Sequence, residues 1–291
     1  MTTNPRFPLY IPSKGRADSR YTSKALTAMG VPHYLVVEPH EVDIYRRACA
    51  GSLATVVELD LSYKGRYELC DDLGLSKSTG PGPARNFIWD HSIASGHDWH
   101  WVMDDNIKYF YRAVRNTQVR LGDGLGFAVM EDFCLRYSNV GMAGPNYEMF
   151  VPTRLKVSPF VKNTRIYSCN LIRNDLKYRW RGRYNEDTIL SLDMLKGGWC
   201  TVQFNAFLQQ KLNTQKLGGG NTAEFYAKEG TLPKSQMLVQ EHPDVSRLSY
   251  KYGRAHHHVD YRPFKDLRLI LREDAHIPEG NPYPMIIKRL K

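Results

Sequence analysis

The N-terminal region alternates short apolar runs with amphipathic stretches, and this alternation restricts the fold more than any other feature of the sequence. Residues 7–12, 33–37 and 54–59 are apolar runs with the length of buried strands. Between them, residues 19–29 and 42–50 repeat apolar side chains at helical spacing. Successive β-α-β units require a mainly parallel sheet with right-handed crossovers. We therefore predict an α/β fold in which helices flank the sheet.

A fourth apolar run ends abruptly after Met103 in two carboxylates and an amide, Asp104, Asp105 and Asn106. A buried strand cannot carry such groups through its middle, so they should lie where the strand ends. The carboxyl ends of central parallel strands border the crevice in which α/β proteins bind ligands. Two hard oxygen donors at that place suit a divalent ion that carries a diphosphate. The alternative is an ordinary helix cap or turn, in which Asp and Asn are common.

Two loops and one helix should face the same edge of the sheet as these acids. The loop at residues 13–16 and the loop at Glu38 each follow a predicted strand. Residues 84–94 form the helix that leads to the acid-ended strand, and Arg85 lies in its first turn. Its guanidinium is either within reach of a phosphate or nucleobase in the crevice or is an ordinary surface arginine.

The second half of the chain alternates less regularly than the first. Residues 147–151 and 165–172 have the composition of additional strands. With 291 residues and 42% hydrophobic content, the chain can bury a substantial core. We predict one domain over residues 1–291, in which residues 1–115 bind a nucleotide sugar and residues 116–291 form the acceptor side with a C-terminal extension.

Basic residues are concentrated in residues 154–183, which contain nine lysines and arginines but one acid, Asp175, with aromatic residues interleaved. Basic groups beside flat apolar rings suit a phosphate backbone and an unstacked base. The net charge of +10 agrees with a polyanionic partner, and a solvated basic face is the alternative. The candidates for DNA contact are Arg173, Arg179, Trp180, Arg181, Arg183 and Tyr184.

Two more carboxylates, Glu186 and Asp187, begin a predicted helix. Acids in a first helical turn have an ordinary role opposite the helix dipole. A transferase that attaches a sugar to a hydroxyl group also needs a carboxylate that removes the acceptor proton. Asp187 is the candidate base, with Glu186 beside it.

Two C-terminal motifs have both a functional and an ordinary interpretation. The glycines at 218–220 follow Lys211 and Lys216, and such a segment either closes over a diphosphate or serves as a flexible linker. Three consecutive histidines include His256 and His257, which either complete a metal site or bind phosphate, or else are packed side chains.

Several classes of protein are disfavoured by the composition. No apolar run has the length of a membrane span, and the N-terminus lacks the apolar core of a signal peptide, so we expect a cytoplasmic protein without a membrane partner. The five cysteines lie far apart without a C-x-x-C pair, which favours reduced thiols over a disulfide framework or a zinc site. The oligomeric state stays undetermined by the sequence.

Four motifs together resemble the nucleotide-sugar glycosyltransferases of the GT-A fold. They are Ile-Pro-Ser-Lys-Gly-Arg at 11–16, Gly-Pro-Gly-Pro-Ala-Arg-Asn at 80–86, Trp-Val-Met-Asp-Asp-Asn at 101–106 and Tyr-Asn-Glu-Asp at 184–187. With Arg-Ala-His-His-His-Val-Asp-Tyr at 254–261, the chain is similar to the phage branch of the TET/JBP-associated glycosyltransferases, which are related to the enzyme that makes base J.

This resemblance implies a role for several of the residues above. Asp104 would contact the ribose of a UDP-sugar, UDP-glucose or UDP-N-acetylglucosamine, and Asp105 would bind Mn²⁺ or Mg²⁺. Asn106 stands where many relatives carry a third acid. Asp187 would match the base of an inverting transferase. The residues that would line the uridine site are Pro12, Ser13, Arg16, Glu38 and Arg85.

The resemblance further implies an acceptor, a hydroxymethylated pyrimidine in phage DNA such as 5-hydroxymethylcytosine. Reaching a base inside a duplex requires its extrusion, for which Trp180 or Tyr184 is the candidate stacking partner. Two alternatives remain: a GT-A transferase that acts on a protein or polysaccharide, and a catalytically inactive DNA-binding relative.

Overall fold

A mixed sheet of ten strands forms the centre of the fold. The structure is a computed structural model that describes residues 4–72, 74, 78–114, 117–154, 156–212, 232–251 and 253–275. The strands of this sheet are β1 Leu9–Pro12, β2 His33–Val37, β3 Ala54–Glu58, β4 Trp99–Met103, β5 Ile107–Val114, β6 Thr117–Arg120, β7 Val140–Tyr147, β8 Phe160–Lys162, β9 Cys169–Arg173 and β10 Cys200–Lys211.

Seven α-helices belong to the described residues, together with a separate two-stranded ribbon. The helices are α1 Tyr21–Ala28, α2 Val42–Ala48, α3 Ser62–Gly65, α4 Gly82–Ala94, α5 Leu125–Leu135, α6 Glu186–Lys196 and α7 Leu232–Glu241. The strands of the ribbon are β11 Ser246–Lys251 and β12 Arg254–Val259. None of the helices in the described ranges is long and apolar enough to span a bilayer.

The order of strands in the sheet is β3-β2-β1-β4-β9-β7-β10-β5-β6, with β8 beside β10. Strands β3, β2, β1 and β4 are parallel neighbours, as the β-α-β alternation predicts. In the other half, β9 runs antiparallel to both β4 and β7, while β7 and β10 are parallel. The predicted Rossmann-like α/β fold with a mainly parallel sheet flanked by helices is therefore confirmed, and strands from both halves of the chain share one sheet.

The direction of winding reverses at β1, because β2 lies on one side of it and β4 on the other. Tyr10 of β1 pairs with Tyr34 of β2 and with Val102 of β4. Both neighbours are parallel to β1, so the loops that follow Pro12 and Met103 leave the same edge side by side. Such a topological switch point is where open α/β sheets bind their ligands.

The two faces of the sheet are covered by different helices. Successive strand residues point to opposite faces, so that Leu9 and Ile11 pack in one apolar cluster and Tyr10 packs in another. The first cluster includes Phe127 of α5. The second includes Ile88 and Trp89 of α4 together with Leu190 and Met194 of α6. Helices α4 and α6 therefore lie on one face, above the carboxyl end of β4.

Two local predictions differ from the structure. The segment 147–151 is not a strand; a 3-10 turn, Glu148–Phe150, follows the end of β7. Strand β9 begins at Cys169 rather than at residue 165, because Ser168 adopts a left-handed conformation with φ of 65° that ends any extended run. The apolar side chains of 165–168 are buried or half-buried, whereas Met149 and Phe150 in the first segment are exposed.

Candidate active site

Arg85 lies at the centre of a cluster of acids at the carboxyl edge of the sheet. Its Nη2 donates to Asp104 Oδ1 at 2.7 Å, and its Nη1 donates to Asp187 Oδ1 at 2.8 Å and to Glu186 Oε1 at 3.1 Å. The side chain is 2% exposed, and its guanidinium stacks over the Trp180 ring at 4.5 Å. One planar cation thus joins the acid after β4 to the two acids that begin α6.

The backbone around α4 explains how Arg85 reaches this position. Gly82 and Pro83 form the first turn of α4, where proline leaves no backbone donor unsatisfied. A Cβ on Gly82 would overlap the ring of Tyr67, whose hydroxyl donates to the carbonyl of Gly182 at 2.9 Å. The chain before α4 is therefore packed tightly against the segment that leads into α6, and this contact brings the two helix N-termini together.

Asp104 is held between two cations. Besides Arg85, Lys211 at the end of β10 donates from Nζ to Asp104 Oδ2 at 2.5 Å and to Ser168 Oγ at 2.9 Å. Burial raises the pKa of Asp104, but the charges of Lys211 and Arg85 outweigh it and hold the pKa well below its usual range. Asp104 is therefore a carboxylate across the physiological pH range.

Asp105 points to the other side of the edge, into the loop after β1. Its Oδ1 accepts from Arg16 Nη1 at 2.5 Å, and its Oδ2 accepts from Ser13 Oγ at 2.8 Å. Tyr45 of α2 holds this loop, because its hydroxyl is 2.7 Å from Ser13 Oγ and accepts from the Arg16 backbone N–H at 3.0 Å. Burial raises the pKa of Asp105, although Arg16 and Ser13 oppose the rise.

Glu186 and Asp187 begin α6 directly after Asn185, which has a left-handed φ of 55°. This sharp turn directs the first helical turn toward Arg85. Burial, together with the repulsion between neighbouring carboxylates, raises the pKa of both residues, and that of Glu186 to about 7, while Arg85 opposes the rise. A pair with raised pKa values beside one arginine suits proton transfer near neutral pH.

Three side chains of this cluster were not predicted from the sequence as site residues. Ser168 accepts a hydrogen bond from Lys211, and its hydroxyl is 2.7 Å from that of Tyr147 at the end of β7. Arg165 carries charge close enough to oppose the rise in the pKa of Asp187. The sequence offers little signal for them, because the left-handed turn at Ser168 is made by a non-glycine residue inside an apolar run.

The remaining residues predicted for the uridine site surround the loop after β1. Pro12 ends β1, and Glu38 follows β2. Lys64 donates to Glu38 at 2.7 Å. Burial raises the pKa of Glu38, but the charges of Lys64 and Lys14 lower it by more. The pKa of Glu38 therefore lies below its usual value, and Glu38 is ionised.

Asn106 donates from Nδ2 to the carbonyl of Leu212 at 3.0 Å and so links the end of β10 to the loop of the acids. Lys216 lies outside the described residues.

The two predicted histidine ligands lie on the ribbon, in β12, and the structure does not group them with Asp105 and Asn106. In the part of the chain that the structure describes, one set of three potential ligand side chains converges, Glu68, Cys70 and Glu241. Arg181 donates into this set, to Cys70 at 3.4 Å and to Glu241. An arginine at that position makes the set an ion-paired cluster rather than a metal centre.

The acid pair at the edge does not fit a resident divalent cation. All four carboxylate oxygens of Asp104 and Asp105 already accept from an arginine, lysine or serine donor. A divalent cation on Asp104 would lie within a few ångströms of the Lys211 ammonium group, and charges of +2 and +1 about 4 Å apart repel by about 8 kcal/mol at the effective dielectric of a protein surface. The basic side chains themselves supply the positive charge of this site.

Most of the six side chains predicted to contact DNA pack in the core or form ion pairs within the protein. Trp180 is 1% exposed and Tyr184 is 8% exposed, and each belongs to an apolar cluster. Arg183, 1% exposed, donates to Asp71 at 2.6 Å. Because these three side chains are buried, the packing gives no support to Trp180 or Tyr184 as a stacking partner for a base.

The other three arginines of that set are ion-paired. Arg173 forms a fork with Asp175, with both distances at 2.6 Å. Arg179 stacks on Trp89, and Arg181 forms a fork with Asp193 at 2.9 and 3.0 Å. Arg179, Arg181 and Arg183 therefore join α4, α6 and the loop before α4, and the six candidate residues do not form an open cationic face.

One family model matches the chain over residues 7–220, more than half of its 291 residues, and its description is TET-Associated Glycosyltransferase. The match spans the loop after β1, Arg85, the acids after β4 and the pair at the start of α6. No curated protein matches the chain at a significant level.

Proposed function

The chain belongs to the TET-associated glycosyltransferase family, and on that basis we propose that it transfers a sugar from a UDP-sugar to the hydroxymethyl group of a modified pyrimidine in DNA, 5-hydroxymethylcytosine. Membership of a glycosyltransferase family implies a nucleotide-sugar donor. The uridine end of the donor lies in the loop after β1, near Ser13, Arg16 and Glu38. The acceptor oxygen approaches from the side of α6.

One observation carries this proposal, the guanidinium of Arg85 that joins Asp104 to Asp187 with contacts of 2.7 and 2.8 Å. Asp104 marks the donor side, at the switch point of the sheet, and Asp187 marks the acceptor side. Because one side chain spans both acids, a donor anomeric carbon and an acceptor hydroxyl held by them lie within bonding reach of each other. Such positioning is a large part of catalysis by group transfer.

The reaction is a single displacement. Asp187 accepts the proton of the hydroxymethyl group, and the oxygen forms a bond to the anomeric carbon of the sugar. The bond between this carbon and the β-phosphate oxygen breaks, and its electron pair leaves with UDP. Attack and departure occur on opposite faces of the carbon, so the anomeric configuration inverts.

The charge that develops on the departing diphosphate is stabilised by the chain's own cations. Lys211 and Arg85 flank Asp104, and Arg16 lies beside Asp105. Preorganised cations in a partly buried site stabilise such charge strongly, because they need little reorganisation during the reaction. No step of this mechanism passes through a divalent ion, since the donor set does not fit one.

A substitution of Lys211 tests whether the chain's own cations stabilise the departing diphosphate. The variant Lys211→Ala should lose about 10²- to 10³-fold in kcat, the usual cost of removing one group that stabilises developing negative charge. The wild-type protein should keep its turnover after treatment with EDTA. The matched control is Lys108→Ala, because Lys108 is an exposed lysine on the neighbouring strand β5. If EDTA abolishes turnover and Mn²⁺ or Mg²⁺ restores it, a metal rather than Lys211 stabilises the leaving group.

The proposed function is tested by mass spectrometry of nucleosides from 5-hydroxymethylcytosine DNA incubated with the protein and a panel of UDP-sugars. We expect a mass gain of one hexose or one N-acetylhexosamine, which also distinguishes UDP-glucose from UDP-N-acetylglucosamine. DNA that contains 5-hydroxymethyluracil is the parallel acceptor. If UDP stabilises the fold but no nucleoside gains mass, the acceptor is another hydroxyl, such as one on a protein or polysaccharide. DNA binding without any response to UDP-sugars would indicate an inactive relative.

A further inference from the structure

The ribbon of β11 and β12 is separate from the central sheet and presents one basic face. Its register pairs Arg247 with His258 and Ser249 with His256. In β12 the side chains alternate, with Arg254, His256 and His258 exposed and Ala255 and His257 turned inward. In β11, Arg247 is exposed on the same side as these three residues.

The inner face of the ribbon packs on α7, which in turn packs on α6. Ala255 is 7% exposed, and the ribbon contacts α7 along both of its strands. An apolar cluster that includes Met237 and Leu238 of α7 also contains Ile189 and Leu192 of α6. The ribbon is therefore fastened through α7 to the helix that begins with the candidate base.

Electrostatic contacts place the ribbon beside the Asp187 side of the active site. Burial and the nearby charges of Arg165 and Lys234 together lower the pKa of His257 to about 4, so His257 is neutral. Arg165 also acts on the pKa of Asp187. Asn185, next to the acid pair, donates to the backbone carbonyl of Lys234 at 2.6 Å. Arg165 and the start of α7 thus lie between the ribbon and the acids.

A large aromatic side chain is exposed near the tip of this ribbon. Tyr250 is 72% exposed, although a tyrosine usually buries most of its ring. It lies near the turn between the strands, where Gly253 has a left-handed φ of 70°. The register pairs Tyr250 with the inward-turned Ala255, so its ring extends from the inner face of the ribbon, opposite to Arg247 and Arg254.

We propose that the outer face of the β11–β12 ribbon is the surface that docks duplex DNA, with Arg247 and Arg254 on the phosphate backbone. The inference rests on the proposed function and specifies how the acceptor is held. A two-stranded antiparallel ribbon has the width that the major groove of B-DNA admits. The ribbon is attached through α7 to α6, the helix whose first turn contains Asp187. The arginines predicted from the sequence at 173–183 are instead neutralised by acids of the protein.

Fluorescence anisotropy with a labelled duplex that contains 5-hydroxymethylcytosine tests the proposal over a range of salt concentrations. The double variant Arg247→Ala/Arg254→Ala should bind about tenfold or more weakly at moderate salt. The slope of log K against log salt should become shallower by about 1.8, because each lost phosphate contact contributes about 0.9. The matched control is Arg46→Ala/Arg47→Ala, which removes the same charge from the exposed surface of α2.

A further variant tests which face of the ribbon is used, without changing charge. Tyr250→Ala removes a ring from the inner face, so it should bind duplex DNA and support sugar transfer to it as wild type does. Stabilisation of the fold by UDP should be the same in all of these variants, which confirms that they are folded and that the donor site is intact.

The outcomes separate this inference from the proposed function. If wild type binds the duplex but Arg247→Ala/Arg254→Ala binds with its affinity and its salt slope, the outer face of the ribbon is not the docking surface, while DNA can still be the acceptor. If wild type binds no DNA and transfers no sugar to it, both the acceptor and the ribbon assignment are overturned. Weakened binding in Arg247→Ala/Arg254→Ala, with wild-type binding in Tyr250→Ala and in the α2 control, supports the proposal.

Discussion

Replacing Asp187 by asparagine is expected to lower turnover by about two to four orders of magnitude, the usual contribution of a general base. An amide of the same shape cannot accept the acceptor proton. Arg85 keeps its contacts with Asp104 and Glu186, so the fold and the donor site should remain intact. The measurement is kcat for sugar transfer, with the thermal shift caused by UDP as the test of donor binding. The control Asp43→Asn changes an acid that is exposed on α2.

The pH profile gives this prediction a second readout. Burial and repulsion from neighbouring carboxylates raise the pKa values of Asp187 and Glu186. A base with a raised pKa is protonated as the pH falls, so kcat of the wild type should decline on the acidic side at a pH above the ordinary titration range of an aspartate. Glu186→Gln removes the repelling neighbour and should move this acidic limb to lower pH. Wild-type turnover in Asp187→Asn would eliminate Asp187 as the base, and an unmoved limb in Glu186→Gln would show that the pair does not titrate together.

Replacing Arg85 by methionine is expected to lower the free energy of unfolding by about 3–5 kcal/mol, the cost of leaving buried charges without their partner. Methionine fills similar space but offers no donor to Asp104, Glu186 and Asp187. These side chains are only 14–21% exposed, so water replaces the guanidinium poorly. Urea unfolding measures the change, because the midpoint shifts at constant slope when stability alone is altered.

The loss in Arg85→Met should depend on pH. Without the cation, the lowered folded-state pKa of Asp104 rises, and the pKa values of Glu186 and Asp187, which burial already raises, rise further above their unfolded values. The variant then takes up protons on folding, and its stability increases as the pH falls through those raised values. The deficit relative to wild type is therefore largest at neutral to alkaline pH and smaller in acid. The control Arg46→Met removes an exposed arginine of α2 and should change stability by less than about 1 kcal/mol. A small, pH-independent loss in Arg85→Met would contradict the central role of Arg85.

The first half of the fold was predictable because its signals are local. Each strand from β1 to β4 is a short apolar run, and each intervening helix has its own spacing and stop signal. The switch point follows from this order, and it explains why Ser13, Arg16, Asp104 and Asp105 meet. The bridge from Arg85 to Asp187 was not predictable, since it depends on how α4 and α6 pack on one face of the sheet.

The arginines at 173–183 gave a poor indication of free charge because most of their acidic partners lie outside the basic stretch. Asp71, Glu68 and Glu241 lie far away in sequence, and they neutralise Arg183 and Arg181 in the folded protein. Composition gives the number of charged side chains but does not show which of them form ion pairs. The ribbon was missed for the opposite reason. Its strands are short and polar on one face, so residues 246–259 show histidines and arginines rather than the pattern of a strand.

The shared arginine also restricts how the protein can evolve. A change at Asp104, Glu186 or Asp187 alters the charge balance felt by the other two, because all three accept hydrogen bonds from Arg85. Effects of substitutions within such a network are not additive. We therefore expect strong epistasis at these four positions: a lineage that acquires a new donor or acceptor keeps the quartet unchanged or replaces several members together. The outer face of the ribbon has no such constraint and can diversify one residue at a time.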